Sequence, residues 1–162
     1  MTISAGDTLP DATLLIFGEN GPEPVKMADK TKGRKVVIFG LPGAYTRTCT
    51  AAHVPSFIRT KGDFDAKGVD EIICVSVNDP FVMAAWAKDT GAAEAGLTFL
   101  GDAGAEFTKA IGLNWTAEPA GFYDRSRRYA LYAEDGVVKV INIEEGPGVC
   151  ELSAGETLLA AI

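Results

Sequence analysis

The 162-residue sequence predicts an α/β protein in which a mixed central β-sheet is flanked by helices on both faces. Two near-continuous apolar runs, at residues 35–41 and residues 71–77, are typical of strands that are covered on both faces. Helical patterns separate these runs along the chain, and this alternation favours parallel strands joined by helices. Two alternating segments, at residues 129–133 and residues 137–143, enclose the turn signal Glu134-Asp135-Gly136, so part of the sheet is expected to be antiparallel.

The amino-terminal half is expected to begin with two short strands, over residues 12–17 and residues 25–27, joined by a loop. The buried strand at residues 35–41 then stops at a break that is rich in glycine and proline. A helix is expected after this break, over residues 48–67. Because Pro55 removes a backbone hydrogen bond and clashes with the preceding turn, it predicts a kink or a locally irregular turn in that helix.

The carboxyl-terminal half contains clear helix signals. Asp79 and Pro80 suit the N-cap and the first position of a helix over residues 81–88. Ser153, with Glu156 three residues later, has the spacing of a capping box. No clear periodicity is present over residues 113–124. Three further elements are expected in chain order: a strand over residues 97–100, a short helix over residues 103–112 and a closing helix over residues 153–162.

Length and composition indicate a single domain over residues 1–162, with no internal repeat or linker. A net charge of −7 argues against nucleic acid or an anionic membrane as the main partner, and no apolar run is long enough to span a bilayer. Only one histidine and three separated cysteines are present, so neither a structural zinc site nor a disulfide scaffold is expected. Since the first residues lack the features of a secretory signal, we expect a reducing, cytoplasmic setting.

Cys49 lies just after the break that ends a buried strand, at the predicted start of a helix. The free N–H groups and positive dipole end of a helix N-terminus favour a thiolate, which is the reactive form of cysteine. Three hydroxyls and a cation lie close to it in the sequence: Thr46, Arg47, Thr48 and Thr50. The opposing interpretation is an inert core residue, as most buried cysteines are. The polar surroundings favour a nucleophilic cysteine.

The segment PGAYTRTCT, residues 42–50, resembles the peroxiredoxin active-site pattern P-x-x-x-T/S-x-x-C. Two later segments, SVNDPF at residues 76–81 and RSRRYAL at residues 125–131, resemble the type II or type 5 group of that family. The similarity extends over nearly the whole chain. It implies a thioredoxin-like fold and a thiol-specific peroxidase that reduces hydrogen peroxide and organic hydroperoxides without a metal or an organic cofactor.

The resemblance implies roles for particular residues of this sequence. Cys49 would be the peroxidatic cysteine, which attacks the peroxide and becomes a sulfenic acid. Pro42 would shield the thiolate and shape the pocket, and the Thr46 hydroxyl would hydrogen-bond the peroxide. Arg128, directly before Tyr129, would favour the thiolate and stabilise charge on the transferring oxygen atoms.

The arginines near the family motif cannot be assigned from the residues alone, since Arg125, Arg127 and Arg128 form one basic cluster. Only the resemblance selects Arg128. The sequence also departs from the family at Arg47, where many relatives have proline. This substitution adds a cation two residues before Cys49, and it bears on the rigidity of the loop rather than on the reaction.

Two fates of the sulfenic acid are open at this point. Cys150 follows a loop rich in glycine and proline, and it matches the place where some type 5 peroxiredoxins carry a resolving cysteine. It would attack the Cys49 sulfenic acid and form a disulfide that thioredoxin reduces. Otherwise glutathione or glutaredoxin would resolve Cys49 directly. Cys74 is expected to be a core residue, and the family implies a homodimer with Cys49 near the interface.

Other functions remain as alternatives. A redox sensor or holdase would use Cys49 as a single-turnover switch, and an inert scaffold would leave it unreactive. A thioredoxin-like disulfide oxidoreductase is disfavoured because the sequence contains no C-x-x-C motif. His53 lies about one helical turn after Cys49, which invites a cysteine-protease interpretation, but we expect a supporting role at most. Glu144 and Glu145 are expected to form a solvated turn rather than an acid–base pair.

Overall fold

A computed structural model describes residues 1–162 and contains a seven-stranded mixed sheet with the strand order β2-β1-β5-β4-β3-β8-β9, beside a separate two-stranded hairpin of β6 and β7. The nine strands, in chain order, are β1 (Thr13–Gly18), β2 (Gly21–Lys26), β3 (Lys35–Gly40), β4 (Glu71–Ser76), β5 (Thr98–Gly101), β6 (Asn114–Ala117), β7 (Phe122–Ser126), β8 (Tyr129–Glu134) and β9 (Val137–Ile143). Strands β3, β4 and β5 are parallel to each other, and the outer pairs of the large sheet are antiparallel. This confirms the predicted mixed sheet.

Helices cover both faces of the large sheet. The six α-helices are α1 (Met27–Thr31), α2 (Val54–Ala66), α3 (Pro80–Thr90), α4 (Ala92–Ala95), α5 (Glu106–Ala110) and α6 (Gly155–Ala160). A π-helical turn (Cys49–His53) precedes α2, and a short 3₁₀ turn (Glu118–Ala120) joins β6 to β7. None of these helices has both the length and the apolar character that crossing a lipid bilayer requires.

The core consists of two apolar layers, one on each face of the sheet. One layer contains Phe57 of α2, Trp86 of α3 and Leu158 of α6, whereas the other contains Met27 of α1 and Phe107 of α5. Successive residues of β3 and β4 alternate between these two layers. Because both faces are covered, each central strand needs apolar residues at every position, which explains the continuous runs in the sequence.

The start of the long helix is irregular, as Pro55 predicts. The chain forms a π-helical turn over Cys49–His53, in which the Val54 N–H donates to the carbonyl of Cys49, five residues earlier. Pro55 then occupies the first turn of α2, where its missing N–H leaves no intrahelical bond unmade. The proline thus divides the predicted single helix into a wide turn that carries Cys49 and a regular helix behind it.

Several short elements are not predicted from the sequence, and one predicted helix cap is wrong. The segment without periodicity contains the hairpin β6–β7, whose register shifts between Trp115 and Ala117, so its strands never show a clean alternation. The capping box is not formed. The Ser153 hydroxyl donates to Glu144, and Glu156 pairs with Arg59 on α2. Helix α6 therefore begins at Gly155 without a side-chain cap. The short helices α1 and α4 have no counterpart among the elements predicted from the sequence.

The packing of α6 on α2 predicts a strong effect of one glycine. The Gly155 N–H donates to Ser56 Oγ at 2.9 Å, and a Cβ at this position would lie 2.6 Å from the Ser56 carbonyl oxygen. We expect Gly155→Ala to lower the free energy of unfolding by about 1–3 kcal/mol in chemical denaturation. The control is Gly62→Ala, where a Cβ meets nothing within 4 Å and a gain of about 0.5–1 kcal/mol is expected. Equal changes in the two variants would contradict this packing.

Candidate active site

The loop between β3 and the π-helical turn holds Cys49 at the carboxyl end of a central parallel strand. The Thr46 hydroxyl and N–H both donate to the Gly43 carbonyl, at 2.7 and 3.4 Å. The Ala44 N–H donates to Asn78 Oδ1 at 3.0 Å. Asn78 comes from the loop after the neighbouring parallel strand β4. The segment at residues 76–81 therefore holds the loop at residues 42–50 in place by a hydrogen bond. Cys49 itself is fully buried.

The guanidinium group of Arg128 lies against the Cys49 sulfur. Arg128 Nη2 donates to Cys49 Sγ at 3.3 Å and to the Pro147 carbonyl at 2.9 Å. Arg128 directly precedes β8, whose first residue Tyr129 pairs with Gly40 at the end of β3. This strand pairing positions Arg128 close to Cys49. The side chain is 2% exposed and forms no ion pair with a carboxylate. A thiolate at Cys49 is therefore the anion best placed to balance this buried cation.

His53 contacts the same guanidinium group from the other side. Arg128 Nη1 lies 3.0 Å from His53 Nδ1, and His53 Nε2 lies 3.0 Å from the Ser153 carbonyl oxygen. The ring is fully buried against Phe39 and Phe57, which stack on each other. Burial, together with the nearby charge of Arg128, holds the pKa of His53 well below its usual value, so the ring is neutral at physiological pH.

The other two arginines of the cluster occupy different places. Arg125 Nη1 donates to the Pro42 carbonyl at 3.0 Å, and its guanidinium carbon lies 5.3 Å from the centre of the Phe122 ring. A Cβ at position 43 would collide with this guanidinium group, so a larger residue there would displace the Arg125 side chain. Arg127 Nη2 donates instead to the Glu144 backbone carbonyl at 3.2 Å. Of the three candidates, only Arg128 reaches the sulfur.

The segment 147–153, which carries Cys150, packs over the active-site turn. Besides its contacts through Pro147 and Ser153, it accepts a hydrogen bond from Thr48 Oγ1 at the Gly148 carbonyl, at 3.3 Å. Cys150 is half-buried, and this burial raises the pKa of its thiol against a smaller opposing effect of Arg128. The two cysteines are not bonded to each other here. Cys150 is therefore close to the site. Because its pKa is raised, the fraction of Cys150 present as thiolate at neutral pH is smaller than for an ordinary free cysteine.

Cys74 lies in the core layer on β4, as the sequence predicts. It is fully buried, and burial raises the pKa of its thiol well above the usual value. Arg47, by contrast, is exposed. Pro42, Thr46 and Cys49 lie on the loop and turn that follow β3, and Arg128 contacts the Cys49 sulfur from the position before β8.

Glu144 is buried, so the prediction that it lies in a solvated turn is wrong. Its side chain is 3% exposed, and Oε2 accepts hydrogen bonds from the Ser153 N–H at 2.8 Å, the Ser153 hydroxyl at 2.7 Å and the Glu151 N–H at 2.7 Å. Burial alone would raise the pKa of Glu144, but the donors of Ser153 and Glu151 outweigh it and hold the pKa below its usual value. Glu144 thus anchors the segment that carries Cys150.

A cavity of about 190 Å³ opens beside this anchor, and it does not include Cys49 in its lining. Its walls are formed by Trp115, Arg127, Arg128 and residues 144–147. No three histidine, cysteine, aspartate or glutamate side chains are grouped so that they could hold a metal ion. The polar side-chain groups near Cys49 include the Arg128 guanidinium and the His53 imidazole.

Comparisons with known proteins match this chain along its whole length. Residues 4–159 match the Redoxin family. The chain is 49% identical to Peroxiredoxin-2E-2, chloroplastic, of Oryza sativa subsp. japonica, covering 99% of this chain and 73% of that protein. It is 47% identical to Peroxiredoxin-2C of the same organism, covering 99% and 98%. The crystal structure of reduced Prx3 in complex with H2O2 from Vibrio vulnificus matches with a TM-score of 0.90 and 44% identity, covering 99% of each chain.

The anchor at Glu144 predicts a charge-dependent contribution to stability. Because hydrogen bonds to a carboxylate contribute about 1.5–3 kcal/mol, Glu144→Gln should lower the free energy of unfolding by about that amount at pH 7. The folded pKa is the lower one, so this contribution is full above the unfolded value of about 4.3 and is lost as the pH falls through the folded value.

The measurement is urea denaturation of the wild type and the Glu144→Gln variant at neutral and acidic pH. The matched control is Glu145→Gln, because Glu145 is exposed and its replacement should change stability little. A loss in Glu144→Gln that is no larger than in this control, or that does not shrink at acidic pH, would rule out the anchor.

Proposed function

The chain belongs to the Redoxin family and, within it, to the peroxiredoxins, and we propose that Cys49, Arg128, Thr46 and Pro42 form its peroxidase site. As a peroxiredoxin it is a thiol-dependent peroxidase, which reduces peroxides through a cysteine and is recycled by a thiol reductant. The observation that carries the proposed site is the buried Nη2 of Arg128, 3.3 Å from the Cys49 sulfur.

The first step is attack of the Cys49 thiolate on the terminal oxygen of the peroxide. The sulfur–oxygen bond forms as the oxygen–oxygen bond breaks, so Cys49 is oxidised to a sulfenic acid and the peroxide is reduced. The second oxygen leaves as hydroxide or alkoxide and takes up a proton to give water or an alcohol. Arg128 supports this step because its charge stabilises the thiolate first and the departing oxygen anion later. Its Nε is buried and has no partner, so a donor is free for an incoming oxygen.

Thr46 and Pro42 complete the proposed pocket. Since the Thr46 hydroxyl hydrogen is used on the Gly43 carbonyl, the oxygen of Thr46 is left to accept a hydrogen bond from the O–H of a neutral peroxide. Pro42 is buried and has its carbonyl held by Arg125, so its ring provides a fixed apolar wall beside the thiolate. This arrangement accepts any small peroxide with a free O–H, both hydrogen peroxide and organic hydroperoxides.

For the return to the thiol, we propose attack on the sulfenic acid by an external thiol, either glutathione or glutaredoxin. This attack releases water and forms a mixed disulfide, which a second thiol reduces. Two features favour this route over Cys150 and thioredoxin. The pKa of the Cys150 thiol is raised, and Arg128 and Glu144 hold the segment that carries it. A Cys49–Cys150 disulfide, whose Cα atoms must lie within about 7 Å, is the alternative.

We propose one domain over residues 1–162, a homodimer and a cytoplasmic location. The exposed rings of Phe17 and Phe81 pack with their centres 5.1 Å apart, and such an apolar surface suits a second copy of the chain. The three cysteines are all free, which is consistent with a reducing compartment. Relatives of the chain carry chloroplastic and mitochondrial names.

Substitutions at Cys49 and Arg128 test the proposed peroxidase site. Cys49→Ser is expected to abolish peroxidase activity. Arg128→Lys should slow the peroxide step by about tenfold to a hundredfold, because a lysine cannot bind Cys49, Pro147 and His53 at once as the planar guanidinium does. Stopped-flow tryptophan fluorescence measures this step, since the Trp86 Nε1–H donates to Thr50 Oγ1 beside Cys49.

The matched control is Arg127→Lys, at the adjacent position but bonded to a backbone carbonyl away from the sulfur. It should react with peroxide at close to the wild-type rate. Retained activity in the Cys49→Ser variant, or a loss in Arg127→Lys that Arg128→Lys does not show, would overturn the proposed site.

The proposed route of resolution predicts a defined oxidation product. After one equivalent of hydrogen peroxide without reductant, peptide mapping by mass spectrometry should find one added oxygen on Cys49 and a free Cys150. Cys150→Ser should then keep full turnover with glutathione and glutaredoxin. A crosslinked Cys49–Cys150 peptide would instead identify Cys150 as the resolving cysteine and point to thioredoxin.

A further inference from the structure

The imidazole of His53 is held by two partners whose hydrogen-bonding roles are fixed. The Ser153 carbonyl can only accept, so His53 Nε2 must carry a hydrogen, over a distance of 3.0 Å. The guanidinium of Arg128 can only donate, so His53 Nδ1 must present its lone pair, also over 3.0 Å. Only the neutral ring with its hydrogen on Nε2 satisfies both contacts. A protonated ring would set an N–H against the N–H of Arg128.

The position of Arg128 depends on a small set of acceptors. Nη1 has His53 as its partner, Nη2 has the Pro147 carbonyl and the Cys49 sulfur, and Nε has none. No carboxylate fixes the group. If Nη1 lost its acceptor, a buried donor would be left unpaired and the guanidinium would turn in search of another. Its Nη2 would then leave the sulfur.

From these contacts we infer that His53 is a positioning residue for the peroxide reaction, which holds Arg128 on the Cys49 sulfur by accepting a hydrogen bond at Nδ1. The inference rests on the proposed peroxidase site. A neutral acceptor suits this task because it orients the guanidinium without offsetting its charge. A carboxylate in the same place would bind Arg128 more tightly, but it would neutralise the cation that stabilises the thiolate. The burial of His53 and the neighbouring cation keep the ring in the form that this role requires.

Two amide substitutions separate the roles of the two ring nitrogens, because each reproduces the position of only one of them. In His53→Asn, the amide oxygen is as many bonds from Cα as Nδ1 is, so the acceptor for Arg128 is kept. In His53→Gln, the amide nitrogen is as many bonds away as Nε2, so the donor to Ser153 is kept and the acceptor is lost. Both place an amide in the same buried space beside Phe39 and Phe57, so both should destabilise the fold to a similar degree.

The rate of Cys49 oxidation by hydrogen peroxide is the deciding measurement, and thermal unfolding is followed in parallel. We expect His53→Gln to react about tenfold to a hundredfold more slowly than the wild type, and His53→Asn to recover most of that loss at a similar melting temperature. Equal rates in the two variants, whether both high or both low, would overturn the inference. A loss that follows the melting temperature would overturn it too, because it would show a structural role alone.

A spectroscopic signature tests the ring itself. The chain has a single histidine, so nuclear magnetic resonance of protein labelled with isotopic nitrogen in histidine gives one pair of ring signals. We expect Nε2 protonated and Nδ1 bare at neutral pH, and a shift of the Nδ1 signal in Arg128→Met. The opposite tautomer, or a charged ring, would contradict the inference even if wild-type Cys49 reacts rapidly. If wild-type Cys49 reacts no faster than free cysteine, the peroxidase site fails, and the role of His53 fails with it.

Discussion

The structure depends on one buried cation that has no carboxylate partner. A guanidinium group removed from water is costly unless its hydrogen bonds are made and its charge is balanced. Around Arg128, backbone and imidazole acceptors make the hydrogen bonds, and only the Cys49 sulfur can supply a negative charge within contact distance. In the proposed peroxidase site, a thiolate at Cys49 would be the group that balances this cation. In the proposed reaction, the same guanidinium would then stabilise the charge that develops on the peroxide oxygens.

This arrangement also explains why distant parts of the chain meet at one place. Arg128 at the start of β8 binds Cys49 and His53 from the π-helical turn and Pro147 from the segment after β9. The pairing of β8 with β3 holds Arg128 beside the end of β3, so the geometry of the site depends on the sheet. The same contacts join the segment that carries Cys150 to the reactive sulfur. A movement of that segment that carried Pro147 away would remove one acceptor of Arg128.

The elements that the sequence predicts well are those whose signals are local. The strands β3 and β4 are recognisable because both of their faces are covered, and the start of α3 is recognisable because Asp79 caps it, accepting from the Val82 N–H at 2.9 Å. Cys49 is placed correctly because it follows the break after β3. Pro55 predicts the irregular turn because a proline affects the backbone of the helical turn directly before it.

The features that the sequence does not show depend on partners far along the chain. Glu144 resembles any acidic turn residue until Ser153 folds over it. Without the family resemblance the three arginines are equivalent in the sequence, and the pairing of β8 with β3 explains why Arg128 is the one that reaches the sulfur. The hairpin β6–β7 has too irregular a register to show a period. The tautomer of His53 follows from two partners, one of them 75 and the other 100 positions away, so no local pattern reports it.

A double-mutant cycle on Arg128 and His53 tests most directly whether one guanidinium organises this site. The rate of Cys49 oxidation by hydrogen peroxide is measured in the wild type, Arg128→Met, His53→Gln and the double variant. If His53 acts through Arg128, adding His53→Gln to Arg128→Met should lower the rate by less than about twofold. If the two losses instead multiply, the residues act independently, and the account in which Arg128 is the centre of the site is wrong.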